Sequence, residues 1–252
     1  MTRSDRLLVL TYHAVDGRTS VISTPPGRFA AQMDQLAAHG LRGIGLAEAF
    51  DHFEQNAAFP PNAVALTFDD GYRSLLSAAL PAMARHGHRG TVFLASGLVG
   101  LPASEAGARN PDLDRDMLGW EEAAELLRGG WEIGSHSVSH PDLTRLEPDR
   151  CARELADSKA EIERRLQCPV VSLAYPYGRL DRRVRDLAAR HYRLACTTRL
   201  ARHAAAGDPL RIDRVDTYYL QDAARFARLI EGKLDGWLTL RRHLRAMRNL
   251  AR

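Results

Sequence analysis

Two carboxylates stand side by side at Asp69-Asp70, within Thr67-Phe68-Asp69-Asp70-Gly71-Tyr72 and directly after the apolar run Val64-Ala65-Leu66. A short apolar run of this kind reads as a buried strand, which puts the pair at a strand end. Adjacent buried carboxylates are costly unless a positive group holds one of them. A second cluster, His136-Ser137-Val138-Ser139-His140, follows another strand-like run, Trp131–Ser135. One Asp with His-x-x-x-His is a donor set for a catalytic divalent metal that keeps positions open for water or substrate. Asp70, His136 and His140 would supply it here. The other carboxylate would be free to take a proton from an attacking water. Consecutive side chains at a strand end point in different directions, so the two Asp residues can hold separate jobs. Gly71 permits the backbone turn that such an end needs. A lone His would read better as an ordinary loop residue; the two clusters at two strand ends are what favour a site.

The elements that must position these groups alternate in type. Strands are predicted at Leu7–Tyr12, Ala63–Thr67, Gly90–Leu94, Trp131–Ser135, Val170–Ala174, Arg193–Thr197 and Arg211–Val215, with a shorter one near Leu41–Ile44. Helical spacing falls between them, at Pro26–His39, Arg73–His86, Trp120–Arg128, Asp149–Leu166 and Asp181–His191. This alternation predicts parallel βα units. The expected fold is α/β, a closed or nearly closed barrel of seven or eight parallel strands in a single domain over residues 1–220. A C-terminal helical extension, residues 221–252, is expected to pack on it. Chemistry in such barrels lies where strands end, as both clusters do. The 252 residues and 45% hydrophobic content suit one sizeable core. The connection Val99–Met117, with two Pro and three Asp residues, reads as too polar for core, and so as either a lid over the site or a disordered insertion.

A third motif, Tyr175-Pro176-Tyr177-Gly178, would alone be an ordinary turn. Together with Thr-Phe-Asp-Asp-Gly, His-Ser-x-x-His, the run Trp120-Glu121-Glu122 and Pro141-Asp142-Leu143, it resembles the NodB-homology polysaccharide deacetylases, carbohydrate esterase family four. The likeness covers roughly residues 12–215. It implies a deformed (β/α) barrel and metal-dependent N-deacetylation of an acetamido sugar. By matching position, Asp69 is the base, Asp70, His136 and His140 are the metal ligands, and the backbone N–H of Tyr177 stabilises the oxyanion. Tyr175, Pro176, Tyr72 and Arg214 are expected to contact substrate. One divalent ion is implied, zinc first, with cobalt, nickel or iron also compatible with the donors.

Two departures stand out. Family members commonly carry an Arg shortly before Pro-Tyr-Gly that orients the base; here the stretch is Ser172-Leu173-Ala174, leaving Arg211 or Arg214 as substitutes. The Leu-x-His motif that often supplies the acid after the last strand is also missing. Leu10-Thr11-Tyr12-His13 resembles instead the Tyr-His start of biofilm poly-N-acetylglucosamine deacetylases, which makes His13 the expected acid, against a buried structural His. Rival readings are hydrolysis of another C–N bond, a formamide or cyclic amide, and an inactive carbohydrate-binding homologue.

The 35 Lys and Arg against 31 Asp and Glu leave a net charge of only +4, which does not argue for nucleic acid. Cys151, Cys168 and Cys196 form no CxxC and no even framework, predicting reduced thiols. The apolar run Leu7-Leu8-Val9-Leu10 after Met1-Thr2-Arg3-Ser4-Asp5-Arg6 is too short for a signal segment, and no stretch could span a membrane, so a cytoplasmic location is expected. In the last segment Leu234, Trp237, Leu238, Leu240, Leu244, Met247 and Leu250 make an apolar stripe flanked by Arg241, Arg242, Arg245, Arg248 and Arg252. It reads as a helix packed on the barrel with a solvated Arg face, or as a partner or membrane-surface helix.

Overall fold

A computed structural model describes residues 5–250, apart from the side chains of residues 246 and 248–250. The nine strands are β1 (Arg6–Tyr12), β2 (Arg42–Ile44), β3 (Ala63–Phe68), β4 (Thr91–Leu94), β5 (Glu132–Ser135), β6 (Ser172–Ala174), β7 (Leu194–Leu200), β8 (His203–Ala204) and β9 (Ile212–Asp216). β1 pairs in parallel with both β3 and β9, which closes the ring β1-β3-β4-β5-β6-β7-β9. This is the expected deformed barrel, closed by seven parallel strands. β2 lies outside the ring against the start of β3, and β8 is antiparallel to β1. The deformation has local causes. β5 and β6 share a single paired position, Ser135 with Leu173, and β7 slips register against β9 between Cys196 and Leu200.

Strand alternation sorts the core into two parts. Leu7 and Val9 join Ala65, Phe93, Ala174, Leu194 and Ile212 in the inner cluster, whereas Leu8, Leu10 and Tyr12 join the cluster shared with the surrounding helices. The helices are α1 (Pro26–Ala38), α2 (Leu46–Asn56), α3 (Leu80–Ala84, continuing a π-turn at Leu75–Ala79), α4 (Ala103–Arg109), α5 (Trp120–Arg128), α6 (Pro148–Leu166), α7 (Arg182–Ala188), α8 (Ala223–Ile230) and α9 (Asp235–Leu250). α2, outside every predicted helix, closes the N-terminal end of the barrel. Its Leu46, Ala49 and Phe50 enter the inner cluster, and its Asp51 and Glu54 accept from Arg193 at the foot of β7. The open end is therefore the one where the strands finish.

Val99–Met117 departs from the expectation that it is too polar for core. It contains α4, and Ala106, Leu113 and Met117 are buried in a small cluster with Ala14, Tyr72 and Leu98. Arg115, only 6% exposed, bonds Asp16 and Ser23 and ties the segment to the loop after β1. In the C-terminal segment the apolar stripe divides: Leu234 and Leu238 are buried with Phe226, Leu229 and Ile230, whereas Leu240, Leu244 and Met247 are exposed. The side chains of Arg248 and Leu250, and all of Arg252 and residues 1–4, lie outside the described set. Cys151, Cys168 and Cys196 are free thiols. Among the described residues no helix is long and apolar enough to cross a membrane.

Candidate active site

The C-terminal ends of β1, β3, β5 and β6 bring His13, Asp69, Asp70, His136 and Tyr177 to one cleft of about 700 Å³, with His140 joining from the turn after β5. Asp70 Oδ1 lies 3.5 Å from His136 Nε2 and 3.6 Å from His140 Nε2. One donor atom from each of these residues falls within 4.8 Å of the others, and all three side chains are buried. The donor set fits a divalent cation in its protonation chemistry as well. The Ala174 carbonyl can only accept, so His136 Nδ1 donates to it at 2.6 Å and leaves the Nε2 lone pair facing Asp70.

Backbone conformation makes this convergence possible. Asp70, Ser137, His140 and Tyr177 all take positive φ, as do Gly71 and Gly178. Left-handed backbone is uncommon for residues with a Cβ, and its concentration here points to geometry imposed by the site. At Gly71 a Cβ would come within 2.6 Å of Leu94, so glycine is required there twice over.

Glu154 on α6 organises the histidine turn, a role sequence reasoning missed. It is 8% exposed, accepts from the backbone N–H groups of Val138 and Ser139 at 2.9 Å each, and accepts from Ser139 Oγ at 2.6 Å. Ser137 Oγ accepts from His140 N–H at 3.1 Å and completes the turn. Replacing Glu154 with Ala would strand two part-buried N–H donors and the Ser139 hydroxyl. Urea unfolding should show a loss of about 2–3 kcal/mol, and metal titration should show affinity about 10–100-fold weaker; unchanged metal affinity would make the contact purely structural.

Asp69 and Asp70 have different surroundings. Arg214 on β9 grips Asp69 with two hydrogen bonds of 2.7 Å, one to each carboxylate oxygen. The same guanidinium donates to Thr197 O at 2.9 Å and to Thr67 Oγ1 at 3.2 Å, and lies over the Phe93 ring. Burial opposes the charge on Asp69, yet Arg214, with His136 and His13, holds its carboxyl below the usual range. Burial also opposes the charge on Asp70, which the adjacent His136 and the charges of His13 and His140 hold far below that range. His136 is raised: burial disfavours its cation, but Asp70 and Asp69 outweigh it. His140 is lowered to about 4 by burial and by His136.

His13 Nε2 stands 3.9 Å from Asp69 Oδ2, on the cleft wall and one-fifth exposed. This placement does not match a buried structural His. Tyr177 is 39% exposed, packs edge-on against His140 at 4.7 Å, and donates its hydroxyl to Asp112 Oδ2 at 2.9 Å. Asn110, from the 99–117 segment, donates to the His140 carbonyl at 3.0 Å. The segment thus forms an ordered rim of the cleft.

The residues expected to contact substrate are elsewhere. Tyr175 is fully buried with its hydroxyl donating to Leu210 O, and Pro176 is buried beside it. Tyr72 is fully buried against Arg115, and its hydroxyl has no hydrogen-bond partner among the described residues. Arg214 is 1% exposed and fully engaged below the cleft floor. None of the four lines the cleft. Val21 and Asp112, on loops that carry no motif, and Thr198 in β7 do so instead.

Residues 56–193, more than half of the chain, match the polysaccharide deacetylase family. The chain belongs to that family. Among curated polysaccharide deacetylase relatives, the YxkH protein of Bacillus subtilis is 26% identical over 194 residues, 77% of this chain and 64% of that protein. The poly-beta-1,6-N-acetyl-D-glucosamine N-deacetylase of Staphylococcus aureus is 23% identical over 168 residues, 63% of this chain and 55% of that protein. The chain therefore spans between about half and two thirds of the length of these relatives. Among solved structures, the Streptococcus pyogenes deacetylase PplD, in complex with acetate, superposes with a TM-score of 0.74 at 25% identity, covering 84% of this chain and 92% of that one. IcaB from Ammonifex degensii gives 0.73 at 24% identity, covering 93% and 97%, and shares the fold of this polysaccharide deacetylase.

Proposed function

We propose that the protein removes the acetyl group from an N-acetylated sugar of an oligo- or polysaccharide, with one divalent cation, zinc first, held by Asp70, His136 and His140. The observation that carries this reading is the division of the carboxylate pair: Asp70 faces two imidazoles, and Asp69 is clamped by Arg214 with an edge toward His13. A cation bound there supplies Lewis-acid polarisation of the acetamide carbonyl and acidifies water. Asp69, kept ionised by Arg214, takes a proton from the attacking water. The Tyr177 backbone N–H donates to the oxyanion that develops on the carbonyl. His13 gives a proton to the departing amine, and the C–N bond breaks to leave acetate. Exposed Val21 and Tyr177 offer apolar surface at the cleft mouth to the C–H face of a sugar ring. The activity named for the Staphylococcus aureus relative and the acetate bound to PplD agree with this chemistry.

The test pairs metal analysis of the purified protein with acetate release from N-acetylglucosamine oligomers. Bound metal without acetate from any acetylated sugar would redirect the reading to another C–N bond, and absence of metal binding would sink it. His13 is separable within the scheme. His13→Ala should keep its metal content while turnover falls by about 10²–10⁴-fold, read from initial rates beside elemental analysis; near-normal rates would remove His13 from the mechanism.

A further inference from the structure

A second cleft, of about 680 Å³, opens beside the first, within the about 300–1,000 Å³ typical of small-ligand sites. The two share the wall residues Gly178 and Thr198. Gly178 has φ +67°, and a Cβ there would collide with Thr198, so the wall between the clefts is kept low. Four arginines line the second cleft, Arg199, Arg211, Arg242 and Arg245, against two carboxylates, Asp208 and Asp213. Both carboxylates are already engaged. Arg185 holds Asp208 at 2.7 and 3.1 Å, and Arg199 holds Asp213 at 2.8 and 3.0 Å. Among the described residues, Arg211, Arg242 and Arg245 make no salt bridge; Arg245 reaches only the Thr198 carbonyl and the face of Tyr219. Arg242 and Arg245 are half-buried on α9, so their charge is not simply dispersed into solvent. A concave surface with this unbalanced charge focuses a positive potential, and the guanidinium fork matches carboxylates and phosphates.

We infer that this cleft is an anion subsite, taking a carboxylate or phosphate ester carried by the sugar that neighbours the acetylated one. The inference rests on the deacetylase reading of the adjoining cleft and narrows its substrate class to acidic or phosphorylated glycans. The probes are a neutral N-acetylglucosamine trimer, the same trimer ended by a phosphate monoester, and the same trimer ended by glucuronic acid. Affinity is read by surface plasmon resonance on the immobilised metal-loaded protein, and acetate release is assayed in parallel. One or both charged trimers should bind about tenfold tighter than the neutral one. Raising the salt should shrink that preference, and the double variant Arg211→Gln, Arg242→Gln should remove it while deacetylating the neutral trimer at the wild-type rate. Which charged trimer gains identifies the anion. Equal affinity for all three trimers, or a preference that survives both salt and the double variant, overturns the subsite whatever the acetate assay shows. A charge preference without acetate from any trimer sustains the subsite and defeats the deacetylase reading instead. The salt dependence of the wild-type protein keeps the test decisive if the double variant fails to fold.

Discussion

Asp70→Asn is expected to abolish metal binding and to lower acetate release by more than about 10³-fold, with the barrel intact. Asp70 is the one carboxylate in the candidate metal cluster, and its Oδ1 lies near both imidazole Nε2 atoms. Asparagine keeps the shape but offers only a neutral carbonyl, against two neutral imidazoles. It also removes one of the two carboxylate charges that lift His136 above its ordinary pKa. In the wild type that lift makes protons compete with the cation for Nε2, so metal affinity should weaken as the pH falls. Equilibrium dialysis with zinc, unfolding curves and initial rates check the three parts separately. Metal content near wild type in Asp70→Asn would mean that these residues do not hold the ion. The variant should remain folded, because the histidine turn is held independently by Glu154 and Ser137.

The strands were legible because each is a short apolar run between turn signals, and the alternation of strand and helix predicts a parallel barrel without any site information. The Asp-Asp and His-x-x-x-His clusters were legible because rare polar residues stood at the ends of such runs. Other features had no local signal. Arg214 reaches Asp69 across 145 residues of sequence; the missing family Arg leaves Arg211 and Arg214 as its substitutes, and nothing local chooses between them. Glu154 sits on an ordinary amphipathic helix, and only the turn facing it shows its use. Tyr72, Tyr175 and Pro176 were expected at the substrate surface because they adjoin motif residues. Neighbours in an extended chain point to opposite faces, and these three turn into the core while Asp70 and Tyr177 turn to the cleft. α2 lies outside the predicted helices although its Leu46, Ala49, Phe50 and Phe53 follow helical spacing, and Gly45 before it provides no side-chain cap to mark its start. The order in residues 99–117 depends on the buried Arg115 and its distant partners Asp16 and Ser23, contacts made only after folding.

The second large effect is expected at Arg214, which answers the missing arginine before Pro176. Arg214→Met would leave the buried Asp69 carboxylate without its bidentate partner, and breaking a buried pair from one side typically costs about 3–5 kcal/mol. The wild-type carboxyl is held below its unfolded value, so the stabilisation of the pair is present above the unfolded pKa and is lost as pH falls through the folded one. In Arg214→Met, burial acts with less opposition and the Asp69 pKa rises. The variant should therefore be most destabilised near neutrality and recover relative to wild type as the carboxyl takes up a proton at lower pH. Turnover should follow the same titration. A base that holds its proton to higher pH shifts the acid limb of the rate profile upward, while metal content, set by Asp70, His136 and His140, stays near wild type. Arg214→Lys keeps the charge but loses the two-pronged grip, so it should restore most of the pH profile and only part of the rate. Urea unfolding at about pH 5 and about pH 7.5, beside pH–rate profiles for all three proteins, separates this from a packing defect. A void left by lost packing would destabilise equally at both pH values and leave the acid limb in place, whereas the loss of a charge that holds the base ionised must move both.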